Sequence, residues 1–379
     1  MSPATDRAQP ARLAFVGASE WMERYHIASA CRLRDRGLLE LHGIWNRTRA
    51  KARRLADEYG IGRVYERQED IVADGAVDGI VVVVSREAAF DVLLRLSGSR
   101  APILCEKPAG DTPGQADTLA ELFEDSGLVG FNRRFAPIVE RFRERIAACP
   151  EPPYLAECTF ARRDRRDPRF VTESGVHAVD LLQWLLGAVD SVDASAIGDD
   201  THLEDRAVGG SRAAMKSKAP GGAPPSRRAL LRFASNAEAW VSFLPRAGYA
   251  RERYTVHAPE RTFELDYGGA YLDAESSSIT IRRHVGFSEQ EIERIGDEAD
   301  DPLEGGGFIA EYRAFLEHIA TGVPARSNFR TAAASVRLSH EIEQATPLSP
   351  PLQEDRGWAP GAGERCEERT SPPRQEGRL

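Results

Sequence analysis

The stretch DGIVVVVS, residues 78–85, is β-branched almost without interruption. A run this short and this apolar, bounded by polar residues, has the pattern of a central strand covered on both faces. Such strands occur in sheets flanked by helices on either side, and the neighbouring sequence has the matching texture.

Upstream, LAFVG (13–17) is a short apolar run ending in glycine, followed by a helical stretch to about Arg36. LLELHGIW (38–45) is strand-like, and TRAKARRLADEYG (48–60) is an amphipathic helix stopped by glycine. Downstream, EAAFDVLLRLSG (87–98) predicts a helix and APILCEK (101–107) a strand. TPGQADTLAELFEDSG (112–127) follows as helix and LVGFN (128–132) as strand. Strands alternating with helices at this pitch predict an α/β fold with a doubly wound parallel sheet.

From about Tyr154 the texture changes. YLAECTFARR reads as a long strand and SGVHAVDLLQWLLG (174–187) as one buried helix. ALLRFA (229–234), EAWVSFLP (238–245), RYTVHA (253–258), RTFELDYG (261–268) and SSITIRRH (277–284) then predict a second, α+β domain on a mixed or antiparallel sheet. Helices over 308–322 and 330–345 close the folded part. The expected organisation is a flexible N-terminus (1–10), a first α/β domain (11–132) and a second domain (133–345) with a mobile loop at 209–228. Residues 346–379, rich in proline, predict a disordered tail.

The 379 residues carry a formal net charge of −9 with 41% hydrophobic content, which suits a soluble two-domain protein. The acidic balance gives no electrostatic reason to expect nucleic acid or an anionic membrane as partner. Basic clusters such as Arg162-Arg163 and Arg165-Arg166 are interrupted by Asp164 and Asp167. Five scattered cysteines without a C-x-x-C pair argue against a disulfide framework or a zinc site. With no long apolar N-terminal run, a cytoplasmic location is expected.

Four constellations could carry chemistry. The turn Gly17-Ala18-Ser19-Glu20-Trp21-Met22 keeps one glycine of the G-x-G-x-x-G that a dinucleotide site uses, with Ser19 small enough for pyrophosphate to approach. A strand-to-helix turn without ligand is the bland alternative. After strand two, Asn46-Arg47 offers no carboxylate for a ribose diol and a cation nearby, which favours NADP slightly over NAD. The competing reading is a helix capped by Asn46 or Thr48.

At the exit of the 103–105 strand stand Glu106, Lys107 and Pro108. Proline stiffens the backbone behind Lys107, so the ammonium is aimed from a strand end, where ligands of open α/β sheets bind. A plain salt bridge between Glu106 and Lys107 is the alternative. Finally, Glu173, His177 and Asp180 share one face at the start of a buried helix, an arrangement suited to acid–base work with a carboxylate fixing the imidazole tautomer. A metal reading lacks a second histidine, so no metal is expected.

In this order, the strand-one turn, Glu106-Lys107-Pro108, Gly130-Phe131-Asn132-Arg133-Arg134-Phe135 and Gly175-x-His177-x-x-Asp180 resemble the Gfo/Idh/MocA family of NAD(P)-dependent oxidoreductases over roughly residues 11–345. The resemblance implies an N-terminal Rossmann domain and a C-terminal open sheet through which homodimers or homotetramers form. It implies alcohol–ketone interconversion on a sugar, polyol or related small molecule. It assigns Lys107 to orienting the reacting hydroxyl and His177 to proton transfer, with Glu173 in a position usually held by aspartate. Asn132 and Arg134 match residues lining the cofactor–substrate cleft, and Gly17, Ser19, Asn46, Arg47, Ser85 and Glu106 fall on the cofactor side. Asp180, with Lys107 and His177, is expected to bind substrate. The departures, Ser19 and Met22 for glycines and Ser85-Arg86 and Phe90 where the family has Thr-Pro and histidine, all lie on the cofactor side. Two other classes stay open: a non-catalytic binding descendant, and an NAD-dependent eliminase acting on glycosidic bonds.

Overall fold

The computed structural model describes residues 9–197, 224–268, 277–296 and 301–346. Of the expected N-terminal arm (1–10), loop (209–228) and tail (346–379), residues 1–8, 209–223 and 347–379 lie outside the described residues. The loop expected to run to 228 ends sooner, because Ser226 already begins a strand.

The N-terminal half runs β1 (Ala11–Val16), a π-helical segment Met22–Ile27, α1 (Ala28–Arg34), β2 (Leu39–Trp45), α2 (Arg49–Tyr59) and α3 (Glu69–Ala73). It continues through β3 (Gly79–Val82), α4 (Arg86–Leu96), β4 (Ile103–Glu106), α5 (Pro113–Phe123) and β5 (Gly127–Gly130). The five strands are parallel in the order β2-β1-β3-β4-β5, so the chain reverses direction across the sheet between β1 and β3. Ligands of such sheets bind in the crevice outside the carboxyl ends at this point. The run at 78–85 contributes only four residues to the ladder, all buried on both faces.

A 3-10 turn, Asn132–Phe135, leads to α6 (Pro137–Ala147), β6 (Leu155–Ala161), a π turn Val171–Gly175, α7 (Val176–Leu186) and β7 (Val189–Ile197). Then come β8 (Ser226–Phe233), β9 (Glu238–Leu244), β10 (Arg251–Ala258), β11 (Arg261–Tyr267), β12 (Ser278–Val285) and β13 (Ser288–Gly296). These strands form one eight-stranded sheet, β13-β12-β11-β10-β6-β9-β8-β7, mixed because β6 and β9 pair in parallel while the others pair antiparallel. Period-2 alternation sends Tyr254 and Val256 of β10 into the core beneath α6 and α7, and Arg253 outward.

The last three helices are α8 (Pro302–Gly305), α9 (Phe308–Thr321) and α10 (Phe329–Gln344). The sequence pattern assigned them to the second domain; in the structure α9 covers the N-terminal sheet, while α10 is shared, its Phe329 facing the first sheet and its Ile342 lying in the second core. Tyr312 and Phe315 of α9 pack with Leu33 and Leu55 against one face of the N-terminal sheet. Phe329 of α10 stacks on Phe123 of α5 on the other face, at 4.7 Å between ring centres. No nearest-neighbour periodicity carries that information: an amphipathic helix announces its apolar stripe but not the sheet that the stripe covers.

Candidate active site

Where β1 ends, Gly17 has φ +119°, and a Cβ there would lie 1.9 Å from the carbonyl oxygen of Val83. Only glycine lets the β1 and β3 exits pass this closely. Beyond it a helix starts at Glu20, and its first amides are the orphan donors every helix presents. Ser19 Oγ accepts from the Met22 amide (3.2 Å). Glu20 points to solvent, 3.5 Å from Arg24, so no carboxylate intrudes on the turn. Met22, in place of a glycine, is absorbed into the core, and the wider π winding begins at that residue.

A cavity of about 380 Å³ opens beside this turn. Its walls include Ser19, Ser85, Glu106, Lys107, Asn132, Glu173 and His177, so seven of the expected residues from distant parts of the chain meet in one space. Asn46 and Arg47 stand apart at the end of β2, where Asn46 Nδ2 donates to Thr48 O (3.0 Å) and Arg47 is exposed.

Glu106 is held from three sides. Its carboxylate accepts from Trp21 Nε1 (2.8 Å) and the Lys107 amide (3.0 Å), and lies 3.0 Å from His26 Nε2. Burial would raise this carboxyl, but the His26 contact, the charges of His26 and Lys107 and the Trp21 bond bring it below its ordinary value. The following Lys107–Pro108 bond is cis. Lys107 Nζ donates to the main-chain oxygen of Glu173 (2.7 Å), which ties the β4 exit to the turn preceding α7.

His177 sits in the first turn of α7. Gly175 just before it lets the helix start press on Phe243, since a Cβ there would lie 2.7 Å from the ring. The imidazole is 6% exposed, packs edge-on to Phe131, and has its Nδ1 buried with no hydrogen-bond partner among the described residues. Burial first, then the charges of Arg133, Lys107 and Arg162, push its pKa well below the ordinary histidine value. The ring is therefore neutral at physiological pH.

Several expected roles are corrected. The Glu173 carboxylate does not fix the His177 tautomer; it lies 3.4 Å from Arg86 Nε, and Glu173 meets the site through its main-chain oxygen. Asp180 does not face the cavity. It takes both arms of the Arg134 guanidinium (2.7 and 2.6 Å) and accepts from Ser335 Oγ (3.1 Å), all buried. Arg134 is thereby a brace beneath the site rather than a lining residue. One residue earlier, Arg133 reaches the cavity instead, because the chain turns through 3-10 geometry there. Asn132 lines the cavity, but its side chain is engaged with Gly306 O (2.8 Å) and Arg133 Nη1 (3.1 Å).

Sequence reasoning missed Trp21, Arg133, Arg162 and Arg165 as cavity residues. Arg133 and Arg162 both contact Glu252, a buried carboxylate on β10. Burial would raise Glu252, but the two guanidiniums overcome it and bring the carboxyl to about 2. The dense arginines at 162–169 were the available signal, discounted because aspartates interrupt them.

The residues present fit a dinucleotide. A positive-φ glycine at the strand exit, a helix starting three residues later and a carboxylate-free β2 end supply elements such a ligand uses. Among the described residues no His, Cys, Asp or Glu side chains are grouped to hold a metal ion, and no helix is long and apolar enough to cross a membrane.

Fold and site together define a two-sheet α/β protein with a lysine–histidine cavity beside the switch point of its parallel sheet. Residues 11–132 match the Gfo/Idh/MocA family model, an oxidoreductase family with an NAD-binding Rossmann fold. The chain is 30% identical over 188 residues to the rhizopine catabolism protein MocA of Rhizobium meliloti, covering 46% of this chain and 57% of that protein. It is 24% identical over 205 residues to D-glucoside 3-dehydrogenase of Escherichia coli, covering 49% and 58%. The matched segment thus spans little more than half of either relative. In three dimensions the chain resembles UDP-N-acetylglucosamine 3-dehydrogenase GnnA from Acidithiobacillus ferrooxidans, with a TM-score of 0.67 at 18% identity over 88% of this chain and 97% of that one. That likeness extends the shared fold across the second sheet.

Proposed function

We propose that this chain is an NAD(P)-dependent dehydrogenase or reductase that interconverts a secondary alcohol and a ketone on a sugar, polyol or related small molecule. The observation that carries this reading is the convergence of Lys107 and a neutral His177 on one cavity beside the β1 turn. The sugar-acting dehydrogenases among its relatives support the substrate class.

A bound nicotinamide supplies the hydride-accepting or hydride-donating carbon. In the oxidising direction His177 accepts the hydroxyl proton on a ring nitrogen, and the cations around it make the ring a transient holder that passes the proton on. Lys107, anchored on the Glu173 carbonyl, faces the oxygen with fixed positive charge as alkoxide character develops. Trp21 and His26 hold Glu106, and Glu106 holds the Lys107 main chain, so the lysine is aimed from behind. Asn46 and Arg47 support NADP over NAD.

The outer face of the large sheet, where Trp240 is 45% exposed, supports association of two or four copies there. Fluorescence titration with NADH and NADPH, followed by a polyol and sugar panel read as dinucleotide reduction, tests the main reading. Failure of both dinucleotides to bind at millimolar concentration would refute it.

A further inference from the structure

Four charged residues close a ring across the two halves of the chain. Arg169 pairs with Asp111, Arg86 Nε lies 3.2 Å from Asp111 Oδ1, and the same Nε lies 3.4 Å from Glu173 Oε1. The Glu173 amide donates to the Arg169 main-chain oxygen (2.9 Å), which completes the circuit. Arg86 and Asp111 come from the first half, Arg169 and Glu173 from the second. Asp111 stands four residues after Lys107, and Glu173 four before His177. The ring therefore bridges the two segments that carry the proposed reactive groups.

Arg86 joins the carboxylates of the ring. It begins α4, at one of the places where this chain departs from the family pattern, and its side chain is 18% exposed. Its Nη2 donates to Glu87 (3.1 Å), while Nε and Nη1 are shut off from solvent without an aligned hydrogen bond among the described residues. Toward Asp111 and Glu173 it thus acts by its charge rather than as a fork of bonds, an attraction that salt weakens. The turn before α7 is fixed on its other side by Glu343 of α10, whose Oε2 accepts from the Val171 and Thr172 amides (2.6 and 3.1 Å). Glu173 meets the first half twice, through its carboxylate on Arg86 and its main-chain oxygen on Lys107 Nζ (2.7 Å).

We propose that Arg86 is a positioning residue: through Glu173 and Asp111 it clamps the turn before α7 against the β4 exit, and so keeps the Glu173 carbonyl on Lys107 Nζ. This rests on the dehydrogenase reading for the use to which the lysine is put. With the clamp closed the ammonium is held at one point of the cavity wall; with it open the lysine is released from its anchor.

The test is competitive labelling of the full chain with acetic anhydride at one fixed pH, read lysine by lysine in peptide mass spectra. Lys51, exposed on α2, is the internal reference. Wild-type Lys107 is expected to react more slowly than Lys51. Arg86→Gln and Glu173→Gln should each raise the Lys107 rate about threefold with Lys51 unchanged, and the double variant should rise no further. The two substitutions change net charge in opposite senses, so a field effect alone would shift the lysine in opposite directions. Arg86→Lys keeps a cation between the carboxylates and should stay within about 1.5-fold of wild type. Sodium chloride at about 0.5 M should raise the wild-type Lys107 rate and leave that of Arg86→Gln unchanged. Should Arg86→Gln not fold, Glu173→Gln, at a side chain 37% exposed, and the salt series on wild type give the same reading. An unchanged Lys107 rate in the Gln variants, opposite shifts, multiplied effects in the double variant, or an equal rise at Lys51 overturns the proposal. No dinucleotide or substrate enters the measurement, so failure of NADH and NADPH to bind sinks the dehydrogenase reading and leaves this result standing.

Discussion

Lys107 Nζ lies 2.7 Å from the main-chain oxygen of Glu173, a bond that joins the end of a strand in one sheet to the turn that launches the His177 helix. The two groups assigned to proton and charge handling are thereby held in register by backbone rather than by a second flexible side chain.

Replacing Lys107 with methionine should lower kcat by about 10²–10³ while leaving dinucleotide affinity within about twofold. Lys107→Arg should not restore the rate, because the planar fork cannot reproduce a point charge on the Glu173 carbonyl. Steady-state kinetics with NAD(P)H titration separates the two effects.

The pH profile follows from His177. Its folded pKa is depressed below 6.5, so the neutral base persists as pH falls, and the acid limb of kcat/KM for alcohol oxidation should lie clearly below that value. Arg133→Gln removes one of the cations responsible and should move the limb to higher pH. Burial, the largest cause, remains, so the return is partial. A limb that moves to lower pH would contradict the assignment.

Arg47→Ala should raise the Kd for NADPH by about tenfold and leave that for NADH nearly unchanged, if the exposed guanidinium meets the extra phosphate. Paired fluorescence titrations read this directly.

Gly17→Ala should be poorly tolerated. The added methyl collides with the Val83 carbonyl at a backbone angle that L-residues rarely adopt, at a cost of about 2–3 kcal/mol or more. Denaturant unfolding should show the loss, and dinucleotide binding should fall with it.

Asp180→Asn should behave as a stability variant. It leaves the Arg134 guanidinium buried with half its partner, a loss of about 3–5 kcal/mol. The paired change Arg134→Met with Asp180→Leu should be less harmful than Asp180→Asn alone, as measured by urea unfolding.

Much of this was legible in the chain. The parallel sheet was written in DGIVVVVS and the alternation around it, and Lys107 and His177 stood out by their neighbours, a buried strand before one and an apolar helix after the other. What stayed hidden was orientation. Glu173, His177 and Asp180 share a helical spacing, yet a π turn ends at Gly175, so the carboxylate of Glu173 swings to Arg86 and Asp180 faces Arg134. Likewise Arg133 and Arg134 are adjacent in sequence and divide between cavity and core, a choice made by the 3-10 turn and by which carboxylate, Glu252 or Asp180, each can reach. Helical spacing describes a cylinder; these residues lie where the cylinder changes pitch.

The last described helices roof the sheet made by the first strands, and this removes autonomy from either half. Cutting after Ala147 would strip Tyr312, Phe315 and Phe329 from the surfaces they cover and leave greasy sheet in water. Synthesis must therefore reach the far end before the beginning is sealed, and the whole should melt as one cooperative body.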